Sequence, residues 1–316
     1  MKRFKNILYV ADFNVDQTEA IKRVLALADS NQADLAVLLV EETPRLGILD
    51  ELFSRDEIDQ RLHQQQLDKL NVLFAPYGDY HVLPVQVRFG KPFIEIIRTV
   101  LADHHDLVIK AATSGGVGDR FFVSQDMHLL RECPCPVWLM RANEKPNYSK
   151  ILAALDFDPW HPNPEDEQLN GQIMELGSAV ALADFAELNF VHVWDSMLTG
   201  WAGEISKESL DLHVNKERSR YQRGLEMLTG QLRRLLGNQA YNYLSPKLHL
   251  VRGDPREAIP TLVASLGVDL VVMGTLARTG ISGLFIGNTA ELILNRIDCS
   301  VLAIKPDHFV SPVLVE

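Results

Sequence analysis

Short apolar runs alternate along this chain with longer stretches whose apolar residues recur every three or four positions. KNILYVAD (5–12) is a brief β-rich run. It precedes TEAIKRVLALADS (18–30), where Ile21, Val24, Leu25 and Ala28 fall on one helical face. DLAVLLV (34–40) reads as a buried strand. REAIPTLVASLG (256–267) groups Ile259, Leu262, Val263 and Leu266 on one helical face. DLVVMG (269–274) is a near-continuous apolar run, as expected where both sheet faces are covered. TAELILNRI (289–297) predicts a closing helix and SVLAIKP (300–306) a last strand. Polar-faced helices are predicted within 57–74 and 217–237, the second locally basic through Arg218, Arg220, Arg223, Arg233 and Arg234. Strands alternating with helices at this spacing predict parallel, doubly wound sheets.

The pattern occurs twice. ILYVADF (7–13) matches ILAALDF (151–157) at an offset of 144, and ADLAVLLVEE (33–42) matches AELNFVHVWD (186–195) at 153. Gly90 and Pro92 match Gly253 and Pro255, and DLVIK (106–110) matches DLVVM (269–273), both at 163. CPVWLM (135–140) matches CSVLAI (299–304) at 164. Five matches in one order indicate a duplicated domain of about five strands and four helices. The growing offset places about nine extra residues near 158–170, and about ten more between Asp195 and Lys247. A first domain over 1–142, a linker at 143–149 within the polar segment 141–150, and a second domain over 150–316 follow.

Length agrees, since 316 residues is about two domains' worth. The net charge of −11 makes nucleic acid an improbable partner. Three cysteines make no disulfide framework, and Cys133 and Cys135 are too closely spaced for a C-x-x-C redox motif. The first residues read as a strand and not a signal peptide, and no apolar run reaches membrane-spanning length, so a cytoplasmic protein without membrane contact is expected. No histidine spacing suggests a metal site, although His161 lies in the acidic stretch of Asp158, Glu165, Asp166 and Glu167. The segment 114–119 only slightly resembles a pyrophosphate loop and follows the wrong strand. No P-loop, G-x-G-x-x-G or nucleophile elbow is present, and no group is placed to activate water.

In open α/β sheets a ligand sits beyond the carboxyl ends of the strands. In the second half those ends carry Asp156, Trp194–Asp195, and a segment with glycines at 274, 280, 283 and 287 ahead of the last helix. Such glycines either simply make turns or bring backbone N–H groups to an anion, with Asn288 or Thr289 as a helix cap when no anion is bound. The spacing G-x2-G-x9-G-[S/T], with Gly274 first and Gly287 last, resembles the nucleotide-binding signature of the universal stress protein family. Asp156 and the Gly253-x-Pro255 element are similar to further features of that family, and the resemblance covers nearly the whole chain twice. Ala277 stands where the second glycine is usual, and Asn288 where Ser or Thr is usual.

The resemblance implies two Rossmann-like five-stranded domains paired through their last strands as a pseudo-dimer, a further homodimer being a matter for mass measurement. It implies a stress-response protein that binds ATP or AMP in the second domain, Mg accompanying ATP, and regulates an unidentified protein partner. Weak ATP hydrolysis or autophosphorylation follows from the resemblance alone. The implied contacts are Asp156 and the Val193 backbone at the base, Met273 and Gly274 at the ribose, and Gly287, Asn288 and Thr289 at the phosphates. In the first half Ala111 replaces Gly274, Ser124 replaces Gly287 and Asp126 falls at Thr289's position. A carboxylate there caps the helix and repels phosphate, so no cofactor is expected in the first domain. The alternative is a nucleotide-independent interaction protein whose crevices are vestigial or hold another small or apolar ligand.

Overall fold

The computed structural model describes residues 4–42, 55–78, 83–112, 124–141, 144–196, 206–275 and 287–314. They group into two compact units, one holding the residues from 4 to 144 with the C-terminal residues from 311, the other Lys145–Val310.

The first unit runs β1 (Asn6–Ala11), α1 (Thr18–Asn31), β2 (Asp34–Glu41), α2 (Arg55–Phe74), β3 (Val85–Phe89), α3 (Pro92–Asp103), β4 (Leu107–Ala111), α4 (Ser124–Glu132) and β5 (Val137–Met140). Its strands are all parallel, in the order β3-β2-β1-β4-β5. The second unit runs β6 (Lys150–Ala154), α5 (Pro164–Asp184), β7 (Glu187–Trp194), α6 (Lys207–Leu244), β8 (Lys247–Arg252), α7 (Pro255–Leu266), β9 (Leu270–Gly274), α8 (Asn288–Leu294) and β10 (Ser300–Ile304). Its order is β8-β7-β6-β9-β10, again parallel. The doubly wound α/β architecture expected from the pattern is therefore present in each unit. The order reverses between β1 and β4, and between β6 and β9, and these are the switch points at which a ligand is expected.

The central strands are apolar on both faces. β1 buries Ile7 through Ala11, and β9 buries Leu270 through Met273. The predicted face of α1 is buried at Ile21, Val24, Leu25 and Ala28. In α7, by contrast, only Ile259 and Val263 of the predicted four are buried.

The repeat recurs bond for bond. Asp106 accepts from the backbone N–H groups of Lys5 and Asn6, and Asp269 from those of Ser149 and Lys150. Each carboxylate fastens the start of a neighbouring strand. Gly90 donates to Glu41 O and Gly253 to Trp194 O, both at 2.9 Å. These two glycines sit at φ +155° and +142°, where a side chain is strained, and Pro92 and Pro255 open the helices that follow. The insertion in the second unit lengthens α6 to 38 residues, with a kink at Gly237 (φ +79°).

Candidate functional site

Beyond the carboxyl ends of β6 and β9, Asp156 is exposed at the head of the loop from β6 to α5. Its backbone is clamped by one buried amide: Asp156 N–H donates to Asn170 Oδ1 at 3.0 Å, and Asn170 Nδ2 donates to Asp156 O at 2.8 Å. Asn170 was not anticipated from sequence. The first unit has the same device in Gln17, whose amide accepts from Asp12 N–H and donates to Asp12 O. The offset from Gln17 to Asn170 is 153, that from Asp12 to Asp156 is 144, and the nine-residue difference is the insertion itself.

Met273 is buried at the end of β9, and Val193 is half-buried in β7 opposite Val251. Gly274 lies under α5. A Cβ there would stand 2.9 Å from Leu169 Cδ2, so any side chain at this position would displace the end of Leu169. The chain returns at Gly287, whose N–H donates to Thr275 O at 3.0 Å. Gly287 has φ −60° and is itself the N-cap of α8, with no side-chain cap bond. Neither Asn288 nor Thr289 caps the helix, which corrects the sequence-based expectation. Both stand exposed on its first turn. Ala277, Gly280 and Gly283 lie outside the described residues, as does segment 114–119.

The matched place in the first unit is filled by charge. Lys110, only 7% exposed, brings its ammonium 3.1 Å from Asp126 Oδ1 and 3.6 Å from Asp12 Oδ2, and donates to Ala111 O at 3.0 Å. Asp126 is 1% exposed. The carboxylate expected to repel phosphate thus has a partner that sequence reasoning passed over. The signal was a lysine inside the apolar run DLVIKA. Met273 occupies the equivalent of Lys110 and Thr289 that of Asp126.

On the other side of Asp156, Phe157 stacks on His192 with ring centroids 4.0 Å apart, and Tyr221 of α6 tilts against Phe157, His192 and Trp194. His192 Nδ1 is 3.1 Å from Leu155 O, so that nitrogen carries the proton and donates. A cavity of about 400 Å³ opens beside this cluster, lined by Phe157, Asp158, Met227 and Leu228 with Arg220 and Arg223. The predicted basic helix therefore points Arg220 and Arg223 at a groove, and Arg220 lies over the Trp160 ring at 5.5 Å. Partial burial pushes the Asp158 carboxyl up, but hydrogen bonds from the Trp160 and His161 backbone and the His161 ring hold it below its usual value. His161 itself is exposed, and among the described residues no group of three or more His, Cys, Asp or Glu is placed to hold a metal. Cys133, Cys135 and Cys299 are buried free thiols, and the hydrogen bond with Cys133 together with burial raises the Cys135 pKa well above its ordinary value. Among the described residues no helix is long and apolar enough to cross a membrane.

The universal stress protein family model matches residues 3–141 and again 147–305. The chain belongs to the universal stress protein family. It is similar to Universal stress protein E of Escherichia coli (strain K12), 28% identical over 99% of this chain and 98% of that one. A crystal structure from Pseudomonas aeruginosa UCBPP-PA14 superposes with TM-score 0.68 at 24% identity, over 96% of this chain and 94% of that one. A universal stress protein from Archaeoglobus fulgidus DSM 4304 gives TM-score 0.60 at 16% identity, over 95% and 98%. In this universal stress protein the two copies of the fold thus share a scaffold down to matched hydrogen bonds, and they differ in the residues at the ends of β4 and β9, Lys110 and Asp126 against Met273 and Thr289.

Proposed function

We propose that the protein acts in the stress response by binding an adenine nucleotide, ATP or AMP, in the crevice of its second domain and thereby regulating a partner, without dedicated catalysis. The observation that carries this reading is the inequality of the two switch points. In the first domain, Lys110, Asp126 and Asp12 put a neutralising charge cluster where a ligand would sit. In the second domain Asp156 stands at the position of Asp12, while the positions of Lys110 and Asp126 hold the uncharged Met273 and Thr289. There the glycine-flanked loop begins at Gly274 and is tied closed where Gly287 meets Thr275. Asp156, on its amide clamp, would face the sugar and base with the Val193 backbone. Met273 and Gly274 would flank the ribose, and Gly287, Asn288 and Thr289 would meet the phosphates, Mg accompanying ATP. No cofactor is assigned to the first domain, and the chain is read as cytoplasmic.

The test is calorimetry of the full chain with ATP and with AMP, alongside mass spectrometry of the protein as purified. Binding of one nucleotide, lost in a folded Gly287→Asp variant, is the expected result. Absence of binding at millimolar ligand overturns the reading. A second reading, a nucleotide-independent protein that takes another small ligand, is favoured by one observation. The groove between the β6–α5 loop and α6 has ligand-sized volume and an apolar floor of Phe157, Met227 and Leu228. A non-nucleotide molecule retained on purification would support it.

A further inference from the structure

Two stretches make the second copy of the fold longer than the first, one between Asp156 and Asn170, the other between Asp195 and Lys247. They meet at the groove of about 400 Å³. The loop from β6 to α5, with the first turn of α5, forms one wall, and α6 forms the other. The α6 residues that line it include Arg220, Arg223, Met227 and Gln231, which recur at three- and four-residue steps and so share one helical face. The groove is thus built from what the second copy adds to the duplicated scaffold.

Its two walls carry opposite charge. Asp166 and Glu167 line it from the first turn of α5, and Arg220 and Arg223 line it from α6. Arg220 lies over the Trp160 ring, and Arg223, one turn further along, is exposed at the groove. The floor is apolar, formed by Phe157, Met227 and Leu228, and stacking on His192 fixes the Phe157 ring. Two amides complete the lining. Asn163 Oδ1 caps α5 by accepting from Glu165 N–H, so Asn163 offers its Nδ2 as a donor, and Gln231 offers both a donor and an acceptor. A complementary ligand has an anion at one end, a cation at the other, an amide between them and apolar side groups. A fatty or aromatic acid lacks the cation, and a single amino acid lacks the amide. A dipeptide has all four, and the volume is at the small end of the range of about 300–1,000 Å³ for ligand sites.

We propose that this groove is a second ligand site of the second domain and takes a dipeptide with apolar side chains, its carboxylate held by Arg223 and Arg220 and its ammonium by Glu167 and Asp166. The site is separate from the nucleotide crevice and stands whether or not that crevice binds ATP. The test is calorimetry of the full chain with leucyl-phenylalanine, with its carboxyl-amidated form, with its amino-acetylated form and with the doubly blocked form. The free dipeptide is expected to bind with a Kd of about 1 mM or tighter. Amidation and Arg223→Met are each expected to weaken it about fivefold, and together no further than either alone, since both remove one contact. Acetylation and Glu167→Gln are expected to do the same at the other end. Arg223 and Glu167 are exposed, so both variants keep the fold. Absence of binding by the free dipeptide at millimolar concentration, or equal affinity for the free and doubly blocked forms, overturns the inference. ATP titrated into Arg223→Met is expected to behave as with the parent, and loss of ATP binding in that folded variant would merge the groove with the crevice and also overturn it. A parent chain that binds no ATP but binds the dipeptide overturns the nucleotide reading alone.

Discussion

The Lys110 ammonium lies 3.1 Å from the Asp126 carboxylate at the switch point of the first domain, and both groups are almost wholly withdrawn from water. Removing one partner of such a pair leaves the other charge buried, at a cost of about 3–5 kcal/mol, whereas replacing both with well-fitting neutral groups is close to neutral. The second domain supplies the neutral pair, Met273 and Thr289. Lys110→Met is therefore expected to destabilise the first domain by about 3–5 kcal/mol, and Lys110→Met with Asp126→Thr to recover most of the loss. Urea unfolding of the full chain measures both, and a single-variant loss below about 1 kcal/mol would show that the pair contributes little to the fold.

Gly224 sits in α6 where a Cβ would come 2.4 Å from Phe157 Cε2, on the ring that stacks against His192. Alanine is about 1 kcal/mol better than glycine inside a helix. Overpacking against a ring already stacked on His192 costs about 1–3 kcal/mol. The second effect wins, so Gly224→Ala is expected to lower stability by about 1 kcal/mol despite its better propensity. Adding Phe157→Leu frees the space and should return the helix-propensity gain. A stabilised single variant in thermal unfolding would mean that Phe157 moves aside freely.

How much of this was legible in the sequence depends on the distance over which each feature is written. The strand and helix order was legible because it is carried by local period, and the duplication because DLVIK and DLVVM, or Gly90-x-Pro92 and Gly253-x-Pro255, repeat at one offset. The site was legible only as the position of Asp156, Gly274 and Gly287 beyond strand ends. The amide clamp was hidden because Gln17 is five residues from Asp12, while Asn170 is fourteen from Asp156 across the inserted stretch. The Lys110–Asp126 pair joins residues separated by a loop, and the buried Lys305 bonds to Thr275, 30 residues away. Neither follows from spacing. Gly287 shows the converse: its signature match was legible, yet at φ −60° its backbone does not require glycine.

His105, at the amino end of β4, gives the fold a dependence on pH. Burial lowers its pKa from the ordinary value, only partly offset by Asp103, whose carboxylate is 3.9 Å away. The imidazole is thus neutral in the fold and protonates more readily in the unfolded chain. The unfolded state binds more protons below about pH 6.5, so stability rises with pH there. His249 is shifted the same way, by burial and then by Lys247. The contribution is full above about pH 6.5 and is lost as the pH falls through the folded value. His105→Leu is expected to flatten the decline in urea stability between about pH 7 and 5. A decline as steep as that of the parent would assign the acid sensitivity to other groups.

The clamp on Asp156 can be tested separately from any ligand. Asn170 is 2% exposed, and its amide makes both of the hydrogen bonds that fix the backbone of Asp156. In Asn170→Ala the Asp156 N–H and C=O lose these partners at the edge of the core, a cost of about 1–3 kcal/mol. Asn170→Gln keeps the amide but is one methylene longer. Gln17 makes the same pair of bonds with this longer side chain, but to a residue five positions away and not fourteen. Asn170→Gln is therefore expected to restore little of the stability that Asn170→Ala loses. Equal stability of the glutamine variant and the parent would show that the loop from β6 to α5 adjusts its length, and that Asp156 is placed by the strand alone.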